Sequence, residues 1–340
     1  MPAARKHQIA LSQTPFYHLI SRCVRRAFLC GNDPYSGRCY EHRRQWVRAR
    51  LAELTTSFAI ELYAYAIMSN HYHLVVCVNA GVAKTWSDQE VIQRWLSVFA
   101  GPELARRYLE EEPLDDQEQE TLSALVTVWR ERLADISWFM RALNEGIARA
   151  ANAEDHCKGR FWEGRFKCQA LLDQQAIINC MAYVDLNPIR AGMAATPESS
   201  DFTSVQQRAC EYKGGKSQEG DTLAEDTLPQ GALPRLSALV NPAGTNAAVP
   251  IPNECPAPSV NIRVEDYLAL VDASGRAVRS GKRGSIPEHC LPILERLAMK
   301  PQIWRRQLFD KLSFFPRAWG NPVAVSAFAS ATGRKWVWQG

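Results

Sequence analysis

The sequence predicts an α+β domain of the split-βαβ, ferredoxin-like kind: an antiparallel sheet backed by helices, with a helical insertion and a C-terminal helical extension. Three observations predict it. Segments with period-2 and period-3.6 apolar spacing alternate as strand, helix, strand, strand, helix, strand, followed by one more helix. The two middle strands are separated only by Ser69-Asn70, which forces them antiparallel. The composition, 46% apolar and 22% charged over 340 residues, is that of a globular protein long enough for more than one domain.

Each element has its own signal. "PFYHLISRCVRRAFL" (15–29) reads as a strand, with apolar alternation through Tyr17, Leu19 and Cys23. "EHRRQWVRARLAELTTSF" (41–58) reads as a helix with Trp46, Leu51 and Leu54 on one face. "AIELYAYAIM" (59–68) and "HYHLVVCV" (71–78) are the second and third strands. Residues 81–134 read as a helical, acidic insertion. "DISWFMRALNEGIARAAN" (135–152) is the next amphipathic helix, "GRFWEGRFKCQALL" (159–172) the fourth strand, and "QQAIINCMAYVDLN" (174–187) a third helix. Residues 1–213 thus form the main domain. Residues 214–260, rich in Gly, Ser, Pro and Ala, read as a linker, and 261–340 as a small helical module.

The net charge of +4 is unevenly placed. Residues 1–57 hold ten Lys/Arg against three Asp/Glu, whereas 81–135 hold twelve acids against six bases. A basic end suits a polyanion such as nucleic acid, and equally a solvated helix face. No window reaches membrane-span length and the N-terminus has no signal-type apolar stretch, so the expectation is a cytoplasmic protein without a membrane partner. The ten cysteines include no CxxC pair and read as reduced thiols. Cys23, Cys30, Cys39 and His42 can be assembled into a zinc site only at spacings that fit no common finger.

Two stretches carry chemistry. In "IMSNHYHLVV" (67–76), His71 and His73 are two apart on a strand and project from the same face, as two ligands of a divalent metal would. The same spacing also suits histidines that merely fill a half-exposed sheet. In "AYVDLNPIRAG" (182–192), Tyr183 and Asn187 are four apart and share a helix face. A phenol, a weak nucleophile at its normal pKa of ~10, becomes useful beside an electrophile polarised by a metal. Asn187 offers that metal an oxygen; standing before Pro188, it is equally an N-cap. Tyr183 also reads as an amphipathic core residue.

The runs "MSNHYHLVV", "FMRALNEGIARAAN", "GRFWEGRFKC" and "YVDLNPIRAG" resemble, in order and register, the single-tyrosine HUH transposases, and most closely the REP-associated tyrosine transposases. The resemblance covers roughly residues 10–213; 81–134 depart from it as an insertion. It implies a tyrosine that attacks single-stranded, hairpin-forming DNA such as REP-like palindromes and keeps a 5′-phosphotyrosine link. Mapped here, Tyr183 is the nucleophile, and His71, His73 and Asn187 hold Mg²⁺ or Mn²⁺. The protein is then expected to work as a monomer or a homodimer.

Other residues carry softer expectations. Arg160, Arg165 and Lys167 flank Phe161, Trp162 and Phe166, and cations beside aromatics suit single-stranded DNA. Arg22, Arg25 and Arg26 close the first strand as an approach for the hairpin, and Arg190 either holds a phosphate or caps its helix. Arg276, Arg279, Lys282 and Arg283 make a basic cluster in the C-terminal module, and Trp336 and Trp338 end the chain. Two other readings stay open. One is a domesticated, non-catalytic relative that binds hairpin DNA. The other is a metal-dependent nuclease that uses water in place of tyrosine.

Overall fold

The computed structural model describes residues 8–24, 29–33, 37–216, 231–240, 260–277, 281, 283–293 and 318–333. The protein is α+β. Strands β1 (Phe16–Arg22), β2 (Ile60–Ile67), β3 (His71–Val78) and β4 (Lys167–Leu171) pair antiparallel in the order β2-β3-β1-β4. A fifth, two-residue strand, β5 (Ala318–Trp319), adds to β4 in parallel. Helix α1 (Arg43–Ser57) crosses from β1 to β2, and α6 (Ile136–Glu154) from β3 to β4, which is the split-βαβ arrangement.

Alternation along the strands separates two cores. On one face Tyr17, Leu19, Tyr72, Leu74 and Val76 pack against α1 and α6 through Leu51, Leu54, Phe139 and Leu143. On the other face Phe16, Val75, Cys77 and Leu171 meet helix α7 (Gln174–Asp185) through Ile177, Ile178, Met181 and Val184. A bulge in β2 between Leu62 and Ala64 puts Tyr63 and Ala64 together on this second face, while Leu62 and Tyr65 stay on the first.

The acidic insertion is helical. It consists of α2 (Ala80–Thr85), α3 (Asp88–Leu96), α4 (Glu103–Leu109) and α5 (Asp116–Leu133). Ser87 with Glu90, and Asp115 with Glu118, form capping boxes at the starts of α3 and α5. The insertion packs on the α1/α6 side through Trp95, Trp129 and Leu133, away from the face that carries α7.

Beyond α7 come a single turn, α8 (Asn187–Arg190), and α9 (Ser204–Lys216). Residues 231–240, inside the stretch read as a linker, run beside β2, where Ser237 N donates to Leu62 O at 2.8 Å. Helix α10 (Val264–Arg276) packs on α7 and α9 through Tyr267, Leu268 and Val271. Helix α11 (Pro322–Ala331) follows β5.

Two strands are shorter than the spacing predicts. The first ends at Arg22, and Arg25 and Arg26 lie outside the described residues, as do Arg279, Lys282, Trp336 and Trp338. The fourth occupies 167–171 rather than 159–172. Gly159 takes φ +126°, and residues 160–166 form a loop with Phe161, Trp162 and Phe166 turned inward. Trp162 joins the ladder as an isolated bridge to Cys23. His42 pairs with Glu154 at 2.8 Å and the Cys30 thiol donates to Met68 O, so the Cys23/Cys30/Cys39/His42 set is not assembled. Among the described residues no helix is long and apolar enough to cross a membrane.

Candidate active site

The sheet face covered by α7 carries the imidazoles. In the β1/β3 ladder Ile20 lies opposite His73 and Arg22 opposite His71; in the β1/β4 ladder Lys167 lies opposite Ile20 and Gln169 opposite His18. Period-2 alternation therefore sets His18, Arg22, His71, His73, Lys167 and Gln169 on one surface. Helix α7 starts just past β4, where Asp173 Oδ1 accepts from Ala176 N at 2.8 Å. It then runs across, burying Ile177, Cys180, Met181 and Val184 and leaving Tyr183 half-buried.

Tyr183 and the histidine pair converge within one chain. The Tyr183 ring centroid is 5.8 Å from His73 and 6.0 Å from His18, edge-on to both. The His71 and His73 rings are 4.9 Å apart at 72°. A cavity of about 470 Å³ opens beside them, with Asn187 and Ala191 of the α8 region and Glu163 and Gly164 of the loop on its wall. Arg22, Arg165, Lys167 and Arg190 also reach this wall, four cations against the single carboxylate of Glu163. Arg160 is exposed and does not line the cavity.

The hydrogen bonds around the imidazoles define what the site can hold. His71 Nδ1 lies 2.7 Å from Asn70 Oδ1, an acceptor, so Nδ1 carries the proton and the lone pair sits on Nε2. His73 Nδ1 lies 2.9 Å from His18 Nε2, and His18 Nδ1 lies 3.2 Å from Gln169 Oε1. Burial holds the His18 imidazolium down, to a pKa of about 4, against the opposing pull of the Gln169 hydrogen bond. Asn187 is not an N-cap, since Leu186 precedes the α8 turn and makes no side-chain cap. Instead Asn187 Nδ2 donates to Tyr183 O at 2.9 Å, which commits the nitrogen and leaves the amide oxygen as the donor a cation would use. Two imidazole Nε2 atoms and one amide oxygen suit a divalent ion with room for further oxygen ligands.

Arg190 is largely spoken for. Its guanidinium donates to Ser274 O and Ala277 O at 2.5 Å each, closing the C-terminal end of α10 rather than its own turn. Asp185, two residues past the tyrosine, is fully buried. It accepts from Ser204 Oγ, Val205 N and Tyr267 Oη, and burial pushes its carboxyl up to about 6 despite these donors.

Sequence reading missed His18, Gln169 and Glu163. His18 had a signal: it sits between Tyr17 and Leu19, a polar residue on the other side of an alternating strand. Its neighbours across the sheet depend on register between segments 55 and 151 residues away, and one strand's pattern does not contain that register.

No family model matches the chain, and no curated protein matches it. Among solved structures it is similar to that of a REP-associated tyrosine transposase bound to a REP hairpin, at 13% identity and a TM-score of 0.36, over 70% of this chain and all of that one. The likeness is a distant one.

Proposed function

We propose that this chain is a metal-dependent enzyme that cuts and rejoins single-stranded, hairpin-forming DNA through Tyr183. The reading is supported above all by one observation: a half-buried phenol, two imidazoles and an amide oxygen meet at one cation-walled cavity. His71 and His73 Nε2 with Asn187 Oδ1 would hold Mg²⁺ or Mn²⁺, whose charge, when bound, polarises a phosphodiester. Arg22, Arg165 and Lys167 bring the strand's phosphates to the cavity mouth, and Arg190 adds its charge from below. Tyr183 Oη loses its proton and attacks phosphorus; the Oη–P bond forms, the P–O3′ bond breaks, and the departing 3′-oxygen takes up a proton. The 5′-phosphotyrosine keeps the bond energy, so a 3′-hydroxyl can reverse the step and join strands with no other energy source.

The resemblance of the four sequence runs to single-tyrosine HUH transposases is consistent with this reading. The test is incubation of labelled hairpin DNA with the full chain and Mn²⁺. A covalent protein–DNA adduct is expected, abolished by Tyr183→Phe and reduced at least a hundredfold by His73→Ala. Tight binding with no adduct would point to the non-catalytic hairpin binder. Cutting that survives Tyr183→Phe but not His71→Ala would point to a hydrolytic nuclease.

A further inference from the structure

His71 and His73 differ in how their ring protons are placed. His71 has its acceptor next door in sequence, Asn70 Oδ1. His73 is flanked by Tyr72 and Leu74, whose side chains go to the opposite core, so its Nδ1 must find a partner on another strand. That partner is His18 on β1, and His18 in turn meets Gln169 on β4. All three side chains are nearly inaccessible, at 1% for His18, 3% for His73 and 1% for Gln169, and beside them the face turns apolar through Phe16, Val75 and Leu171. A buried row of two imidazoles and an amide is an expensive way to fill a sheet, because each polar atom gives up water.

The row also has a direction. A hydrogen-bond chain of neutral groups must carry its protons the same way at every link. Gln169 Oε1 can only accept, so His18 Nδ1 donates to it. His18 Nε2 then holds a lone pair, His73 Nδ1 donates to that, and His73 Nε2 is left with its lone pair. A row run the other way would put the proton on His73 Nε2 and bar it from any metal. Ligating histidines owe their orientation and tautomer to such partners, and loss of a partner typically weakens metal affinity ten- to a hundredfold.

We propose that Gln169 and His18 form a two-link hydrogen-bond chain that fixes the tautomer of His73 and turns its Nε2 lone pair toward the cavity; both are positioning residues. This deepens the metal-site reading above and rests on it for its consequence, but not for its geometry. The first measurement therefore needs no metal. Ring-¹⁵N spectra of the metal-free, histidine-labelled full chain, with the His73 signals assigned by their loss in His73→Ala, are expected to show an Nδ1–H tautomer. The second is titration with Mn²⁺ alone, followed by the electron-spin signal of the free ion. Gln169→Met and His18→Leu are expected to weaken binding about ten- to a hundredfold. Gln169→Glu, an acceptor only when ionised, is expected to retain the wild-type tautomer and at least wild-type affinity. An Nε2–H tautomer at His73 in the wild-type chain overturns the proposal whatever the variants do. So does unchanged Mn²⁺ affinity in both Gln169→Met and His18→Leu. If the wild-type chain shows the Nδ1–H tautomer yet binds no Mn²⁺, the metal-site reading falls and the hydrogen-bond chain stands.

Discussion

A single buried imidazole gives this protein a readable pH dependence. His18 is held near a pKa of 4 by burial, against an ordinary value of 6.5 in the unfolded chain. Between those values the unfolded state binds the proton and the folded state does not, so unfolding takes up a proton as pH falls. The stability that His18 contributes by staying neutral is whole above pH 6.5 and is lost progressively as pH drops towards 4. A shift of this size corresponds to about 3 kcal/mol over the window. Urea unfolding of the metal-free wild-type chain and of His18→Gln at pH 7.0 and 4.5 should show a loss on acidification that is smaller in the variant by about 2 kcal/mol. Equal losses would mean that His18 is solvated. Asp185 acts with the opposite sign. Its carboxyl is raised to about 6 by burial, so it favours the folded state most at low pH and less as pH climbs through 4 to 6. Asp185→Asn should therefore steepen the acid loss of the wild-type chain, again read by urea midpoints against pH.

Helix α7 matters as an element because it alone brings the phenol to the imidazoles, and it is fixed at both ends. Asp173 caps its start, and its end is tied to α9 and α10 through Asp185 with Ser204 and Tyr267. Just past it, residues 283–286 lie against the α8 turn so closely that a Cβ on Gly284 would fall 2.2 Å from Ile189 O. Gly284→Ala must push this segment off the turn, and we expect a loss of about 1–3 kcal/mol in urea unfolding, the usual range for overpacking. An unchanged midpoint would show that 283–286 do not pack there. Little of this tie is legible in the sequence. The strands at 60–67 and 71–78, the helices at 43–57, 136–154 and 174–185, and the shared faces of His71/His73 and Tyr183/Asn187 follow from local periodicity, which a single segment carries. The fourth strand is overdrawn because Phe161, Trp162 and Phe166 are strand-favouring residue types, while Gly159, at φ +126°, lets the chain loop with those rings inward. His18, Gln169 and the contacts of Asp185 are products of register and of packing between distant segments. Period alone does not encode them.

At the scale of the molecule, charge and completeness of the site make separate predictions. Arg22, Arg165 and Lys167 are exposed cations at one cavity mouth, whereas the acidic insertion packs on the far side of the sheet. Each phosphate neutralised on a single strand adds about 0.7 to the slope of log affinity against log salt. Alanine at all three positions should reduce that slope by about 2 for hairpin DNA bound in EDTA; an unchanged slope would move the DNA to another surface. Completeness bears on how many chains one cut requires. The Tyr183 ring lies 5.8 Å from His73 of the same chain, on a helix fixed at both ends, so one chain brings together the tyrosine and histidines that the proposed reaction would use. Were the tyrosine exchanged between protomers, a mixture of Tyr183→Phe and His73→Ala chains would rebuild one intact site per mixed dimer. The observed geometry predicts that co-refolding these two inactive variants restores no adduct with hairpin DNA and Mn²⁺. Recovery of a sizeable fraction of wild-type adduct would mean that α7 leaves its own sheet to serve a partner's histidines, and the ties through Asp185 and Tyr267 would then have to open on the way.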